Sequence, residues 1–124
     1  MILSLMHIDT TQFGEIIIDD KKYHQVLIVG DAVEERDYKK LEKLFGSSHE
    51  IGDWEIEKLL SNNPEIIIIG TGQNGTMEVD KKTIQKLQSK GAETIIATTP
   101  QIIEIFNEKI KQGVKTNALI HTTC

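Results

Sequence analysis

The chain carries a single cysteine, Cys124, so no disulfide can form within it, and this usage reads as cytoplasmic. Arginine is as scarce: Arg36 is the only one among 14 basic residues. The planar fork that grips phosphates and guanine edges is therefore almost missing. Basic residues are also outnumbered by 19 acidic ones, which leaves a net charge of −5. That balance argues against a nucleic-acid partner and against an anionic membrane surface. Long hydrophobic runs are absent too. The mostly apolar start, Met1 to Met6, has neither the basic flank nor the cleavage site of a secretory signal. Elsewhere no apolar run exceeds Ile66 to Ile69, far below the roughly 20 residues that span a bilayer. Proline-rich linkers, repeats and low-complexity segments are lacking. What is present, 124 residues of which 39% are apolar, suits one domain over 1–124 with a single core and excludes a two-domain enzyme.

Two kinds of pattern divide the chain. From Gly14 to Val29, Glu15-Ile16-Ile17-Ile18 and the stretch Tyr23 to Val29 flank the polar cluster Asp19-Asp20-Lys21-Lys22, which predicts a β-hairpin. Its turn has no glycine, but aspartate tolerates left-handed geometry better than most residues. Tyr38, Leu41, Leu44 and Phe45 fall at helical spacing, so a short helix is expected before Gly46-Ser47-Ser48. Asp53 then caps a helix carrying Ile56, Leu59 and Leu60, ended by Asn62-Asn63-Pro64. The buried strand Ile66 to Ile69 follows, and Thr76 to Val79 alternates like another short strand. Asp80 caps a helix with Ile84 and Leu87 inward, Thr94 to Ala97 is a strand, and Thr99-Pro100 opens a helix with Ile102, Ile103, Phe106 and Ile110 inward. The last strand covers about Lys115 to Ile120. Apolar strands separated by amphipathic helices mark parallel βαβ units, so strands 66–69, 94–97 and 115–120 should be adjacent and parallel. Ile66, Ile68, Ile95, Ile103, Phe106 and Leu119 are the expected core.

The loop Gly70-Thr71-Gly72-Gln73-Asn74-Gly75 matches the dinucleotide fingerprint G-x-G-x-x-G, yet the context is wrong. The third glycine should lie in a helix, whereas Gly75 leads into Thr76 to Val79, and the next strand ends in Thr98-Thr99-Pro100 without a ribose-binding acid. No nicotinamide, flavin or other cofactor is expected. Topology favours a different use. Ligands of open α/β sheets bind outside the strand carboxyl ends, where Gly70 to Gly75, Thr98-Thr99-Pro100 and His121 to Cys124 would meet. The candidate ligand-binding residues are Gly70, Thr71, Gly72, Gly75, Thr98, Thr99, His121 and Cys124. Loop N–H groups, a helix dipole, hydroxyls and one imidazole suit a small anion or polar group. Protonation of His121 should strengthen that binding as pH falls through roughly 6.5. The bland alternative is that the glycines only turn and the threonines only cap. No metal is expected, because His121 and Cys124 on extended chain point to opposite faces.

The order of motifs resembles a known family. Phe13-Gly14-Glu15-Ile16-Ile17-Ile18-Asp19, Pro64-Glu65, Ile69-Gly70-Thr71-Gly72-Gln73-Asn74-Gly75, Thr99-Pro100 with Ile105-Phe106-Asn107, and Ala118-Leu119-Ile120-His121-Thr122-Thr123-Cys124 are similar to the Mth-type domain proteins. That family includes uncharacterised archaeal and bacterial proteins, an adipogenesis-associated protein and a mitochondrial complex I assembly factor. The resemblance implies a single α/β domain with a mixed central sheet, and no established activity or cofactor. Two departures stand out: Glu34 to Ser48 lacks the tryptophan common there, and Asp20 replaces a frequent turn glycine.

Two functions follow as expectations. The first is a non-enzymatic binding or assembly accessory, with another protein or a small anion as partner. The alternative is a small-molecule enzyme using His121 as acid/base in the same pocket. A catalytic pocket should place His121 within hydrogen-bond reach of an ionisable or nucleophilic group.

Overall fold

A computed structural model describes residues 5–124; the first four residues of the apolar start Met1 to Met6 lie outside the described residues. Isoleucine dominates its central strand, β6 (Ile66–Thr71), and explains the architecture. Ile66 and Ile68 face one core while Ile67 and Ile69 face another, so the run is apolar throughout because both faces are covered. Strands β4 (Val26–Val29), β5 (Ala32–Glu35), β7 (Glu93–Ala97) and β8 (Thr116–His121) complete a five-stranded sheet in the order β5-β4-β8-β6-β7. The pairs β6–β7 and β6–β8 are parallel, as expected, while β4 adds antiparallel to β8 and makes the sheet mixed.

A second sheet of three antiparallel strands, β1 (Ile8–Gln12), β2 (Glu15–Ile18) and β3 (Lys21–Tyr23), packs with α4 (Thr99–Lys111) over one face. Ile8, Ile16 and Ile18 join Ile102, Phe106 and Ile120 there. Asn107 ties strand to helix, its carboxamide oxygen accepting the Ile8 N–H at 2.8 Å and its nitrogen donating to the Ile8 carbonyl at 2.9 Å. The opposite face is covered by α2 (Asp53–Leu60) and α3 (Lys81–Gln88), through Ile56, Leu59 and Leu87. Helix α1 (Tyr38–Phe45) is peripheral: Asp37 caps it by accepting the Lys40 N–H, and only Leu41 is buried.

Several elements differ from the expectation. The stretch Tyr23 to Val29 is not one hairpin arm. Lys21–Tyr23 pairs with β2, and after His24-Gln25 the chain crosses to the other sheet as β4. The turn itself is as expected: Asp19 and Asp20 both have positive φ, and the β1 segment holds them, since Asp19 accepts the His7 N–H and Asp9 accepts that of Asp20. Thr76 to Val79 forms no strand; Met77 drops into the α2/α3 core and donates its N–H to the Thr71 carbonyl. Gly52 rather than Asp53 caps α2, and Thr98 rather than Thr99 caps α4. Of the expected core, Ile95 is only partly buried because β7 is an edge strand, and Ile103 on α4 is partly buried as well. No described helix is long and apolar enough to cross a membrane.

Candidate functional site

The three loops expected at the strand carboxyl ends do come together, but they bond to one another. Thr99 sits at the centre: its hydroxyl accepts the Gly72 N–H at 3.0 Å and donates to the His121 carbonyl, while its own N–H reaches the Gly72 carbonyl at 2.9 Å. Gln73 donates its N–H to the Thr123 carbonyl, and the Asn74 and Thr76 N–H groups meet the Cys124 oxygen. Gly75 donates to the Gly72 carbonyl, the Thr71 hydroxyl to that of Ala97, and the Thr98 N–H to the Gln101 side chain. The N–H groups expected to cradle a ligand are thus used inside the protein, those of Gln73, Asn74 and Thr76 holding the Thr123–Cys124 segment and the others bonding within the loops. The glycines fit this close packing. A Cβ on Gly70 would lie 3.0 Å from the Thr99 hydroxyl, and one on Gly72, where φ is +106°, 2.4 Å from the Thr123 carbonyl.

His121 joins that cluster through its carbonyl alone. Side chains alternate along β8: Ile120 packs on the α4 side with Gly70, so the His121 imidazole emerges on the other face. There it is fully buried and meets residues from other segments of the chain. Nδ1 lies 2.8 Å from the Gln25 Oε1, Nε2 lies 3.0 Å from the Thr123 hydroxyl, and the His49 ring stands edge-on with centroids 4.8 Å apart.

The foundation of this arrangement is Arg36. The lone arginine is buried and uses every donor inside the protein. Its Nε and one terminal nitrogen grip the equally buried Glu55 at 2.7 and 2.9 Å, and its remaining bonds go to the Ser48 and Glu50 carbonyls and to the Gln25 Oε1 at 3.0 Å. Glu55 also accepts the Gly52 N–H at 3.0 Å, so one carboxylate both neutralises the arginine and caps α2. An arginine only donates, which fixes the Gln25 carboxamide with its oxygen toward Arg36. The imidazole facing that same oxygen must then carry its proton on Nδ1. Nε2 is left with a bare lone pair, and the Thr123 hydroxyl donates to it.

Above this network lies a cavity of about 430 Å³, lined by His24, Gln25, Tyr38, Glu42, Gly46, Ser47, Ser48, His49 and Thr123. It opens at the carboxyl end of β8, the expected sheet edge, but beside β4 and on the face away from α4. His24 is fixed by donating Nδ1–H to the Gly14 carbonyl at 2.8 Å. None of the candidate ligand-binding residues lines this cavity; His121 lies buried behind it and meets it through Thr123, and Gln25, Arg36 and His49 were missed. The usable signals were an arginine standing alone among lysines and a glutamine opening the apolar run Val26 to Val29.

A family model described as a protein of unknown function (DUF498/DUF598) matches residues 8–121. The chain belongs to the DUF498/DUF598 family. Among solved structures, this family member is similar to MT938, at 26% identity with a TM-score of 0.77 over 96% of this chain and 99% of that one. It is also similar to the conserved hypothetical protein PH1505 from Pyrococcus horikoshii OT3, at 26% identity with a TM-score of 0.79 over 94% and 98%. The fold further matches a Mth938-like domain protein from Bordetella pertussis, at 13% identity with a TM-score of 0.62 over 93% and 84%. The Mth-type likeness of the sequence motifs therefore holds for this DUF498/DUF598 chain.

Burial, and then the charges of His49, Arg36 and His24, push the His121 pKa down from 6.5 to about 4. Its proton uptake is displaced well below the expected pH of roughly 6.5. The consequence falls on stability. The unfolded chain binds a proton at this histidine near pH 6.5, and the folded chain refuses it until about pH 4. The stability present above pH 6.5 should be lost progressively as pH falls toward 4, by up to about 3 kcal/mol. Urea midpoints across this window should fall in the native protein and much less in His121→Gln. A midpoint that does not move would contradict the burial of His121.

Proposed function

We propose that this protein binds a small polar molecule in the cavity over His121. The observation that supports this reading is the buried charge network beneath it. Replacing a buried ion pair by apolar residues is often neutral or stabilising, so Arg36–Glu55 is poorly explained as a stability device. It is well explained as a support that holds Gln25, Ser48 and His121 in fixed orientations under a ligand. The volume lies within the range of small-molecule sites. The wall presents imidazoles, hydroxyls and the Glu42 carboxylate but no lysine or arginine, which favours a neutral, hydrogen-bonding ligand over the small anion considered at the glycine loop. A protein partner, implied by the family resemblance, would use outer surfaces and draws no support from this wall.

The test is a titration of the labelled protein with a library of small polar fragments, followed through imidazole and amide resonances. Hits should move His24 and His49 in the native protein and leave Ser47→Trp, which fills the cavity, unaffected. Hits that map elsewhere, or that still bind Ser47→Trp, would refute the proposal.

A further inference from the structure

Deepening the reading above, on which it rests, the geometry points to an acyl-transfer activity: we propose that Thr123 is a nucleophile activated by His121, acting on small esters or thioesters. Three groups stand in the order that nucleophilic catalysis requires. Thr123 lines the cavity, and its hydroxyl lies 3.0 Å from the His121 Nε2. The His121 Nδ1 lies 2.8 Å from the Gln25 Oε1, which the Arg36 guanidinium holds in place from 3.0 Å. The hydroxyl therefore donates to a bare nitrogen whose opposite side is oriented by a fixed acceptor. This is the nucleophile–base–orienter logic found on unrelated folds, with a neutral carboxamide as orienter.

The chemistry closes without any redox partner. The Thr123 oxygen attacks the acyl carbon and its proton passes to the His121 Nε2. The tetrahedral adduct then collapses, the bond to the alkoxide or thiolate breaks, and the leaving group takes the proton from Nε2. Rotation of the acylated Thr123 side chain uncovers the buried Nε2 to a cavity water, which that nitrogen deprotonates as the water attacks the acyl-threonine; the carbon–oxygen bond to Thr123 breaks, the hydroxyl regains its proton and the acid leaves. Thr123 and His121 are the catalytic residues, and Gln25 is a positioning residue.

The groups facing His121 set its pH behaviour. They are Arg36 beyond β5, Glu55 on α2, His49 in the loop before α2, and His24 and Gln25 ahead of β4. Burial is the largest influence, His49, Arg36 and His24 act in the same direction, and no carboxylate touches Nδ1 directly. His121 consequently stays unprotonated far below neutrality, and its base form is retained through mildly acidic pH.

The experiment uses the full chain and p-nitrophenyl acetate. The native protein should turn the ester over and carry an acetyl group on Thr123, located by peptide mass spectrometry. Thr123→Val, nearly isosteric, should lose the adduct and on the order of 100-fold in turnover, and Thr123→Ser should restore both. Turnover should persist well below pH 6 and fall only toward about pH 4, and Gln25→Glu, which sets a carboxylate on Nδ1, should move that limb upward. Acetylation confined to lysines or to His24 and His49, or equal turnover in Thr123→Val, would overturn the acyl step. If fragments still shift His24 and His49 in that case, the binding proposal stands alone; if they do not, both fall.

Discussion

Arg36→Met should destabilise the protein by about 4 kcal/mol in urea denaturation at neutral pH, because the substitution strands Glu55 as a buried carboxylate with no counter-charge. The pair is almost wholly shielded, with side-chain exposures of 1% and 0%, so solvent cannot take over the role of the guanidinium. The damage spreads beyond the pair. The Ser48 and Glu50 carbonyls lose their donors, and the Gln25 carboxamide is no longer held oxygen-inward, which releases the His121 tautomer. Adding Glu55→Gln should recover much of the loss, since a carboxamide has no charge to strand and keeps an oxygen for the Gly52 N–H. If the double variant were no more stable than Arg36→Met, the cost would lie in lost packing rather than in an unpaired charge. A two-state measurement separates these outcomes directly.

Gly72→Val should also cost about 4 kcal/mol, from left-handed strain of about 1–3 kcal/mol together with overpacking of similar size. The physical cause is backbone against backbone. A Cβ at this position would stand 2.4 Å from the Thr123 carbonyl and 2.6 Å from the Cys124 carbonyl carbon, and neither can swing aside like a side chain. Gly72→Ala should therefore be nearly as damaging as Gly72→Val. Gly46 provides the contrast: its φ is +74°, but a Cβ there meets nothing within 4 Å, so Gly46→Ala should cost only about 1 kcal/mol. Equal losses at the two glycines would show that conformation alone, and not the close approach of Thr122–Cys124, governs Gly72. Displacing that segment should also disturb the Thr123 hydroxyl, so Gly72→Val links the glycine loop to the cavity on the far face.

Some of this was legible in the residues because it depends on local physics. The run Ile66 to Ile69 could only be a strand covered on both sides. Asp80, Pro100 and the amphipathic spacing of Leu87, Ile102 and Phe106 marked helices whose ends and faces follow from capping and burial. The tight turn at Asp19-Asp20 was readable from the tolerance of aspartate for positive φ. The family was readable from an order of motifs, although no motif alone was specific.

Tertiary structure decided what depends on which face a residue occupies and on what lies across the sheet. Thr76 to Val79 alternates like a strand, yet no neighbouring strand accepts it and Met77 serves as a core plug instead. His24-Gln25 looks like the middle of one strand, and only the separation of the two sheets shows that the chain changes partners there. His121 follows Ile120 by one residue, and that single step carries its imidazole away from Thr99 and the glycine loop toward Gln25, His49 and Thr123. Charge counting marks Arg36 as rare, but nothing in the sequence places Glu55, 19 positions later, against it. A buried ion pair and the cavity above it are long-range facts: they arise only when folding has removed the water that would otherwise screen the charges.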